Sequence, residues 1–128
     1  MPVDRNDERC EEAFKHFPLL QRRLSQRAVS LSGGGRKLLS FARTMGLKAK
    51  LAMLDEPTEG VQPENIDRMA AMVNPRKASG DSFIIVAQNL EFVAAFADSV
   101  LVLDHGEVVL QGSFAALGCE RIEQHMVV

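Results

Sequence analysis

Two short apolar runs constrain the fold of this chain more than any other feature. Residues 51–55 are LAMLD and residues 82–87 are SFIIVA, which is typical of buried strands in a parallel sheet. The segment between them is predicted to be a helix over 63–74, because Pro63 suits a first helical turn, where no backbone N–H is needed. The order strand, helix, strand predicts an α/β fold with parallel strands.

The remainder of the chain continues this alternation. Residues 89–97 are predicted to form a short helix. Residues 99–104 and 107–112 are predicted to be two strands of a hairpin, joined by the His-Gly pair at 105 and 106. The predicted fold class is therefore α/β, with a C-terminal β-hairpin after the parallel strands.

Side-chain patterns predict which surfaces are buried. Pro75 is expected to end or kink the helix that begins at Pro63. The inward face of that helix is predicted to consist of Ile66, Met69, Ala70 and Val73. Four methionines are expected to fill the core: Met45, Met53, Met69 and Met72.

A triple glycine opens the stretch LSGGGRKLLSFART, residues 31–44. Ser32 has the side chain of a helix N-cap, and Gly46 is a suitable stop. Apolar residues recur between them at helical spacing, at Leu38, Leu39, Phe41, Ala42 and Met45. Upstream, a polar helix is predicted at 7–16, followed by a basic, polar connector at 19–30.

Composition excludes several classes of protein. The chain has 128 residues, 46% of them hydrophobic and 25% charged, which is typical of one globular domain and not of a disordered chain. A net charge of -2 argues against a nucleic-acid binder with a basic surface. The apolar runs are well short of the ~20 residues that span a bilayer, so we expect a soluble, cytoplasmic protein.

The glycine turn is a candidate phosphate site. Gly33, Gly34 and Gly35 have no Cβ, so an anion can approach their N–H groups at the positive end of the following helix. Arg36 and Lys37 add positive charge nearby. On glycine content alone, a flexible turn before a helix is the preferred interpretation of the segment.

Asp55 and Glu56 are candidate metal and catalytic residues. They follow an apolar strand directly, and ligands of open α/β sheets bind beyond the carboxyl ends of strands. An aspartate there can hold Mg²⁺ through its water shell, and an adjacent glutamate can polarise an attacking water. The alternative is two exposed acids that end a strand.

Taken in order, these motifs resemble the ATP-binding cassette (ABC) ATPases over about residues 14–117. LSGGGRKLLSFART resembles their signature motif, usually LSGGQ, and LAMLDEPTEGVQP resembles the Walker B strand and D-loop. FIIVAQNLEFVAAFADSVLVLDHGEVVLQG resembles their switch strand, helix and closing hairpin. The resemblance implies a partial P-loop NTPase fold. Three motifs in the right order are far more specific than any one of them.

The finer pattern resembles the ATPases of branched-chain amino acid and urea importers, which often carry LDEPTEGIQP and a glutamine in place of the switch histidine. Gln88 takes that place here; its amide can sense a γ-phosphate but cannot shuttle a proton. The alternative is a polar residue that closes a strand. Gly35 replaces the usual signature glutamine, which removes a side-chain contact but keeps the backbone donors.

The 128 residues contain no P-loop sequence G-x-x-x-x-G-K-[ST], so the chain resembles the C-terminal half of a nucleotide-binding domain. The resemblance implies that Ser32 and Gly33 to Gly35 contact an ATP held by a partner chain, and that ATP and Mg²⁺ are shared with it. The glycine turn and the Asp55-Glu56 pair would then be two walls of a triphosphate pocket that another polypeptide completes.

These interpretations predict one partial ABC ATPase domain over 1–128, with a signature-helix part at about 14–50, a core at 51–112 and a tail, beginning with a short helix, at 113–128. In the family the P-loop strand lies between those matching 82–87 and 99–104, so both are expected to expose apolar side chains. The isolated chain is expected to be marginally stable, or to oligomerise, and to be inactive as an ATPase.

The predicted function is the ATP-binding subunit, or a fragment of it, of an importer for branched-chain amino acids, urea or a similar solute. The expected partners are a second ABC ATPase subunit and transmembrane permease subunits at the inner face of the cell membrane, with no nucleic acid. The alternative is an inactive interaction module that needs a partner with a P-loop. A chromosome-maintenance ATPase is disfavoured because residues 1–30 show no sustained heptads.

Overall fold

A computed structural model describes residues 8–126, which divide into two compact units, one ending at Ala87 and one beginning at Gln88. The first contains α1 (Glu8–His16), α2 (Pro18–Arg22), a 3₁₀ turn (Ala28–Ser30), α3 (Gly33–Met45), β1 (Leu51–Asp55), α4 (Pro63–Ala78) and β2 (Ser82–Val86). The second contains α5 (Leu90–Ala94), β3 (Ser99–Asp104), β4 (Glu107–Ser113) and α6 (Phe114–Met126).

The boundary between the units falls inside the predicted core segment 51–112, and the single-domain organisation over 1–128 stays a prediction. The first residue of the predicted helix at 7–16 and the last two of the predicted tail lie outside the described residues. The α/β fold class, with parallel strands and a C-terminal hairpin, is confirmed.

The sheet of the first unit has two parallel strands. Leu51 of β1 is aligned with Ser82 of β2, and the register continues to Asp55 and Val86. Residues paired across parallel strands lie on the same face, and successive residues alternate between faces. Ala52 and its partner Phe83 therefore lie on one face with Leu54 and Ile85, while Met53 and Ile84 lie on the other.

Among the described residues of the first unit, helices cover one face of this sheet and leave the other open. Helices α3 and α4 pack against each other and against the strands, and the core between them is closed by fully buried aromatic and aliphatic side chains. Phe17 and Phe41 meet edge to face, with ring centroids 6.2 Å apart. Met69 and Val73 of α4 are fully buried.

The prediction of strands buried on both faces is wrong for this unit. Leu51, Met53, Ile84 and Val86 are exposed, Met53 to 70%, so the methionine expected in the core lies at the surface. The physical reason is that the helices of this unit cover the face of Ala52 and leave the face of Met53 open. The exposure of apolar side chains predicted for residues 82–87 is confirmed.

Two further predictions of secondary structure are corrected. The prediction that the helix ends at Pro75 is wrong: α4 continues to Ala78, and Arg76 anchors its last turn through hydrogen bonds to Met45, Ala49 and Asp81. The alternative of a kink at Pro75 stays a prediction. The predicted connector at 19–30 contains part of α2 and the 3₁₀ turn. Pro18 occupies the first turn of α2, where a proline is favoured.

The second unit is an antiparallel hairpin with helices. The turn between β3 and β4 has φ 48° at His105 and φ 82° at Gly106, the two positive values that a tight hairpin turn requires. Val102, Leu110 and Ile122 form its core. α6 is broken at Gly118, whose φ is 69°.

One face of this hairpin is also open. Leu101 and Leu103 of β3 are 50% and 64% exposed, which confirms the predicted exposure of that strand. Among the described residues, no helix is long and apolar enough to cross a membrane.

Candidate functional site

Ser32 begins α3 as the sequence predicts. Its Oγ accepts a hydrogen bond from the N–H of Gly35 at 3.1 Å, and its carbonyl oxygen accepts one from the N–H of Arg36 at 2.9 Å. This is the N-cap arrangement, which satisfies donors that a helix start otherwise leaves unpaired. The first turn of α3 is therefore a regular helix N-terminus built largely from glycine.

The three glycines have different surroundings. Among the described residues, no heavy atom outside the chain neighbours and helix backbone of Gly33 lies within 4 Å of where its Cβ would be. A Cβ on Gly34 would lie 2.5 Å from the carbonyl oxygen of Gly60, which is closer than any side chain tolerates. Gly34 is thus required by packing, and Gly33 leaves open space at the positive end of the helix.

Gly60 belongs to a tight turn after β1. Its φ of 72° lies in the left-handed region that favours glycine, and Val61 donates a backbone hydrogen bond to Thr58 at 3.1 Å. Thr58 is the buried polar residue of this turn. Because Gly34 touches Gly60, the start of α3 and the turn after β1 form one continuous surface.

At the carboxyl end of β1, Asp55 is exposed and Glu56 is half-buried. Glu56 has φ 43°, a left-handed conformation that costs a non-glycine residue about 1 kcal/mol or more. Its N–H donates to the carbonyl oxygen of Val86 at 2.8 Å, so β2 fixes the point where the chain leaves the sheet. Backbone strain of this kind is concentrated at functional sites.

An open groove of about 920 Å³ runs along the start of α3. Ser32 and the three glycines line one side, and the turn residues Glu59 to Gln62 line another. Arg23 adds a positive charge to its wall. Asp55 and Glu56 do not line this groove. The structure therefore groups the glycine turn with the D-loop-like turn, and the expectation that the glycine turn and the two acids are two walls of one pocket is not met by this groove.

Gln88, the remaining residue of the predicted site, belongs to the second unit and is exposed. The next residue, Asn89, caps α5, since its Oδ1 accepts a hydrogen bond from the N–H of Phe92 at 2.8 Å. The cap fixes the point where α5 begins, and the Gln88 side chain just before it is accessible to solvent.

Comparison with known proteins identifies the family to which this chain belongs. The sequence profile described as "ABC transporter" matches residues 4–59, which include the glycine turn, β1 and the two acids. The high-affinity branched-chain amino acid transport ATP-binding protein BraG of Pseudomonas aeruginosa is 33% identical over 107 residues, 84% of this chain and 46% of that protein. This chain belongs to the ABC transporter ATP-binding family.

Other relatives of this ABC ATPase chain differ in their described transport roles. A probable branched-chain amino acid transport ATP-binding protein, LivG of Archaeoglobus fulgidus, is 37% identical over 83% of this chain and 42% of its own length. An energy-coupling factor transporter ATP-binding protein, EcfA2 of Clostridium perfringens, is 36% identical over 66% of this chain and 30% of its own length. The chain spans about half or less of these curated relatives.

Solved structures agree on the fold. An ATP-binding subunit of an ABC transporter superposes with a TM-score of 0.76 at 25% identity, over 86% of this chain and 45% of that one. An ATP-binding cassette solved in its ADP conformation gives 0.61 at 30% identity, over 96% and 47%. The chain therefore has the ABC ATPase fold over the part that aligns, and the predicted resemblance is confirmed.

The ABC family implies a nucleotide with Mg²⁺, and the residues of this chain fit both. Within residues 8–126, no heavy atom apart from chain neighbours and helix backbone lies within 4 Å of a Cβ position on Gly33, so a phosphate oxygen can occupy this space at the positive end of the helix. Within residues 8–126 no cluster of three or more metal-binding side chains occurs. Asp55, at the carboxyl end of β1, would hold Mg²⁺ through its water shell, because Mg²⁺ keeps several waters and otherwise binds phosphate.

Proposed function

We propose that this chain is the signature and Walker B part of the ATP-binding subunit of an ABC importer. Its solute would be a branched-chain amino acid, urea or a similar small polar molecule. The observation that carries the proposal is the start of α3, where a capped helix N-terminus and the unobstructed Gly33 adjoin an open groove. Two branched-chain amino acid transport relatives support the solute class, and the energy-coupling factor relative leaves it a proposal.

The site residues have distinct proposed roles. Ser32 and the glycines up to Gly35 bind the terminal phosphate of an ATP held on the P-loop of a partner chain, through backbone N–H groups and the helix dipole. Asp55 holds Mg²⁺ through water, and Glu56 orients the attacking water. Gln88 senses the γ-phosphate with its amide. Bound ATP and Mg²⁺ supply the phosphoryl group and neutralise its charge.

The separation of the groove from the two acids supports action across a dimer. In such a dimer the glycine turn serves the nucleotide of the partner, while Asp55 and Glu56 serve a nucleotide on their own side. The proposed partners are a second ABC ATPase subunit, identical or different, and transmembrane permease subunits. The proposed location is the cytoplasmic face of the cell membrane.

Gly33→Asp tests this proposal because it separates folding from phosphate binding. A carboxylate in the first turn of a helix is favourable with the helix dipole, and Gly33 has room for it, so the fold is retained. The same charge repels a phosphate. We expect Mg·ATP to drive association of the unaltered chain with a full-length relative that carries a P-loop, and Gly33→Asp to weaken it at least tenfold.

Gly33→Ala is the matched control, because it fills the same space without charge. Sedimentation velocity with ATP, with ADP and without nucleotide measures the association, and thermal melts check the fold. Equal association in all three conditions, or full binding by the aspartate variant, would contradict the proposal.

The second candidate function is an inactive interaction module, favoured by the absence of a P-loop sequence from these 128 residues. The same mixture distinguishes the two. ATP turnover that falls on Glu56→Gln indicates an enzyme part that another chain completes. ATP-dependent association without turnover sensitive to Glu56 indicates the module.

A further inference from the structure

Lys37 makes a contact that its position beside the glycine turn does not suggest. It lies in the second turn of α3, yet its Nζ donates a hydrogen bond to the backbone carbonyl oxygen of Glu56 at 2.9 Å. The two residues are 19 positions apart, and the contact crosses from α3 to the end of β1. A charged donor on a neutral acceptor forms one of the stronger kinds of hydrogen bond.

The carbonyl of Glu56 is held from two sides. It accepts the ammonium group of Lys37 and, at 3.4 Å, the N–H of Glu59 in the following turn. A carbonyl oxygen has two lone pairs, so both bonds can form together. The N–H of Glu56 donates to the carbonyl oxygen of Val86. The backbone of Glu56 is therefore hydrogen-bonded to three elements: β2, its own turn and α3.

The left-handed backbone of Glu56 needs such support. A glutamate avoids φ 43° when it is unconstrained, and such conformations persist only where surrounding contacts over-determine them. The ion pair of Lys37 with Glu59 is long, 3.9 Å, and largely exposed, so it contributes little by itself. The carbonyl contact is the interaction through which Lys37 acts.

We propose that Lys37 is a positioning residue that holds Glu56 in its left-handed conformation, and so links the phosphate-binding helix α3 to the residue that orients water. This rests on the proposed function for the role of Glu56. The contact itself does not depend on that role. The positive charge of Lys37 is thus used on a backbone carbonyl. The N–H of Gly35 is bonded to Ser32 Oγ, so within the described residues the glycine donors left for the anion are those of Gly33 and Gly34.

The test is made on the 128-residue chain without nucleotide. In the unaltered protein, NMR should detect a scalar coupling between the Lys37 ammonium nitrogen and the carbonyl carbon of Glu56. In Lys37→Met, amide hydrogen exchange at Glu56 should accelerate about tenfold, the effect of losing one charged hydrogen bond. Exchange at core amides such as Met69 should not change.

Lys37→Arg is the rescue variant, because it keeps a cationic donor, and it should restore slow exchange at Glu56. Lys48→Met removes a positive charge from an exposed lysine after α3 and should have no effect at Glu56. Unchanged exchange at Glu56 in Lys37→Met, or equal acceleration at Met69, would overturn the proposal.

If Lys37→Met does not fold, absence of the scalar coupling in the unaltered protein would overturn the proposal on its own. The scalar coupling and the exchange rates are measured without nucleotide, so they test this proposal even if ATP-dependent association fails. Failure of this proposal is therefore distinguishable from failure of the proposed function.

Discussion

At the scale of single residues, identical glycines serve different physical needs. Gly34 allows two backbones to meet, since the carbonyl oxygen of Gly60 occupies the place of its Cβ. Gly33 meets nothing there, and its value is the access that it gives to backbone donors. The same residue type therefore supports packing at one position and, in the proposed site, ligand access at the position before it.

Gly34→Ala should destabilise the first unit. The added methyl group would lie 2.5 Å from a backbone oxygen that cannot rotate away, and overpacking of this kind costs about 1–3 kcal/mol. Urea unfolding followed by circular dichroism measures the free-energy change.

Gly33→Ala is the internal comparison and should leave the free energy of unfolding unchanged or raise it by up to about 1 kcal/mol. Equal effects of the two alanines would show that the contact between Gly34 and Gly60 is not what requires glycine.

At the scale of elements, the side chain of Arg76 joins four neighbouring segments of the first unit. Arg76 of α4 donates to the carbonyl oxygens of Met45 and Ala49, each at 3.0 Å, and pairs with Asp81 at 2.7 Å. Its guanidinium also lies 5.4 Å from the ring centroid of Phe83. The end of α3, the start of β1, the last turn of α4 and β2 are thus held by one planar cation.

Arg76→Met should lower the free energy of unfolding by about 2–3 kcal/mol, because it leaves Asp81 and two carbonyl groups without their charged donor. Chemical denaturation with two-state analysis measures the loss.

Arg68→Met is the control, since Arg68 is an exposed arginine of the same helix whose contact with Asn65 is 3.4 Å long. It should change stability by less than about 0.5 kcal/mol. A loss of stability as large as that of Arg76→Met would show that the contacts of Arg76 are not what holds these elements together.

Sequence patterns predict an element correctly when one or two residues determine where it begins or turns. Ser32 alone marks the start of α3, and the His-Gly pair at 105 and 106 alone marks the hairpin. They fail where contacts with residues far away in the sequence determine the structure. The continuation past Pro75 depends on contacts of Arg76 with residues about 30 positions away, and the contact of Lys37 with Glu56 has no local signal.

The same limit applies to burial and to the site. An apolar run such as LAMLD predicts a strand but not which of its faces receives a helix, so the prediction that Met53 fills the core is wrong. The candidate site residues could be named from the motifs. Their division into a groove beside α3 and a separate pair of acids depends on the three-dimensional fold and has no signal in the motifs.

At the scale of the whole molecule, the chain contains the Asp55-Glu56 pair that is proposed to act in ATP hydrolysis, and its 128 residues contain no P-loop sequence. We expect no steady ATP turnover by the 128 residues alone, because nothing in them matches the loop that binds the β- and γ-phosphates in this family. A coupled assay of phosphate release at high protein concentration measures this. Turnover abolished by Glu56→Gln would contradict the expectation, whereas turnover unaffected by it would indicate a contaminant.

The open strand faces make a second prediction at this scale. Met53 and Ile84 present apolar surface on the first unit, as Leu101 and Leu103 do on the second, and contiguous exposed apolar surface favours association. We expect the isolated chain to self-associate as its concentration rises.

Met53→Lys should reduce this self-association, because a charge on the open face of β1 opposes its burial against a second copy. Lys50→Met, which removes a charge from the edge of the same strand, should increase it. Sedimentation equilibrium over a range of concentrations measures both. A monomer at every concentration, or equal behaviour of the two variants, would show that the open faces do not drive assembly. Met53 is exposed, whereas Ala52 is buried and Leu54 half-buried on the other face, so the lysine replaces an exposed side chain and leaves the packing of Ala52 and Leu54 intact.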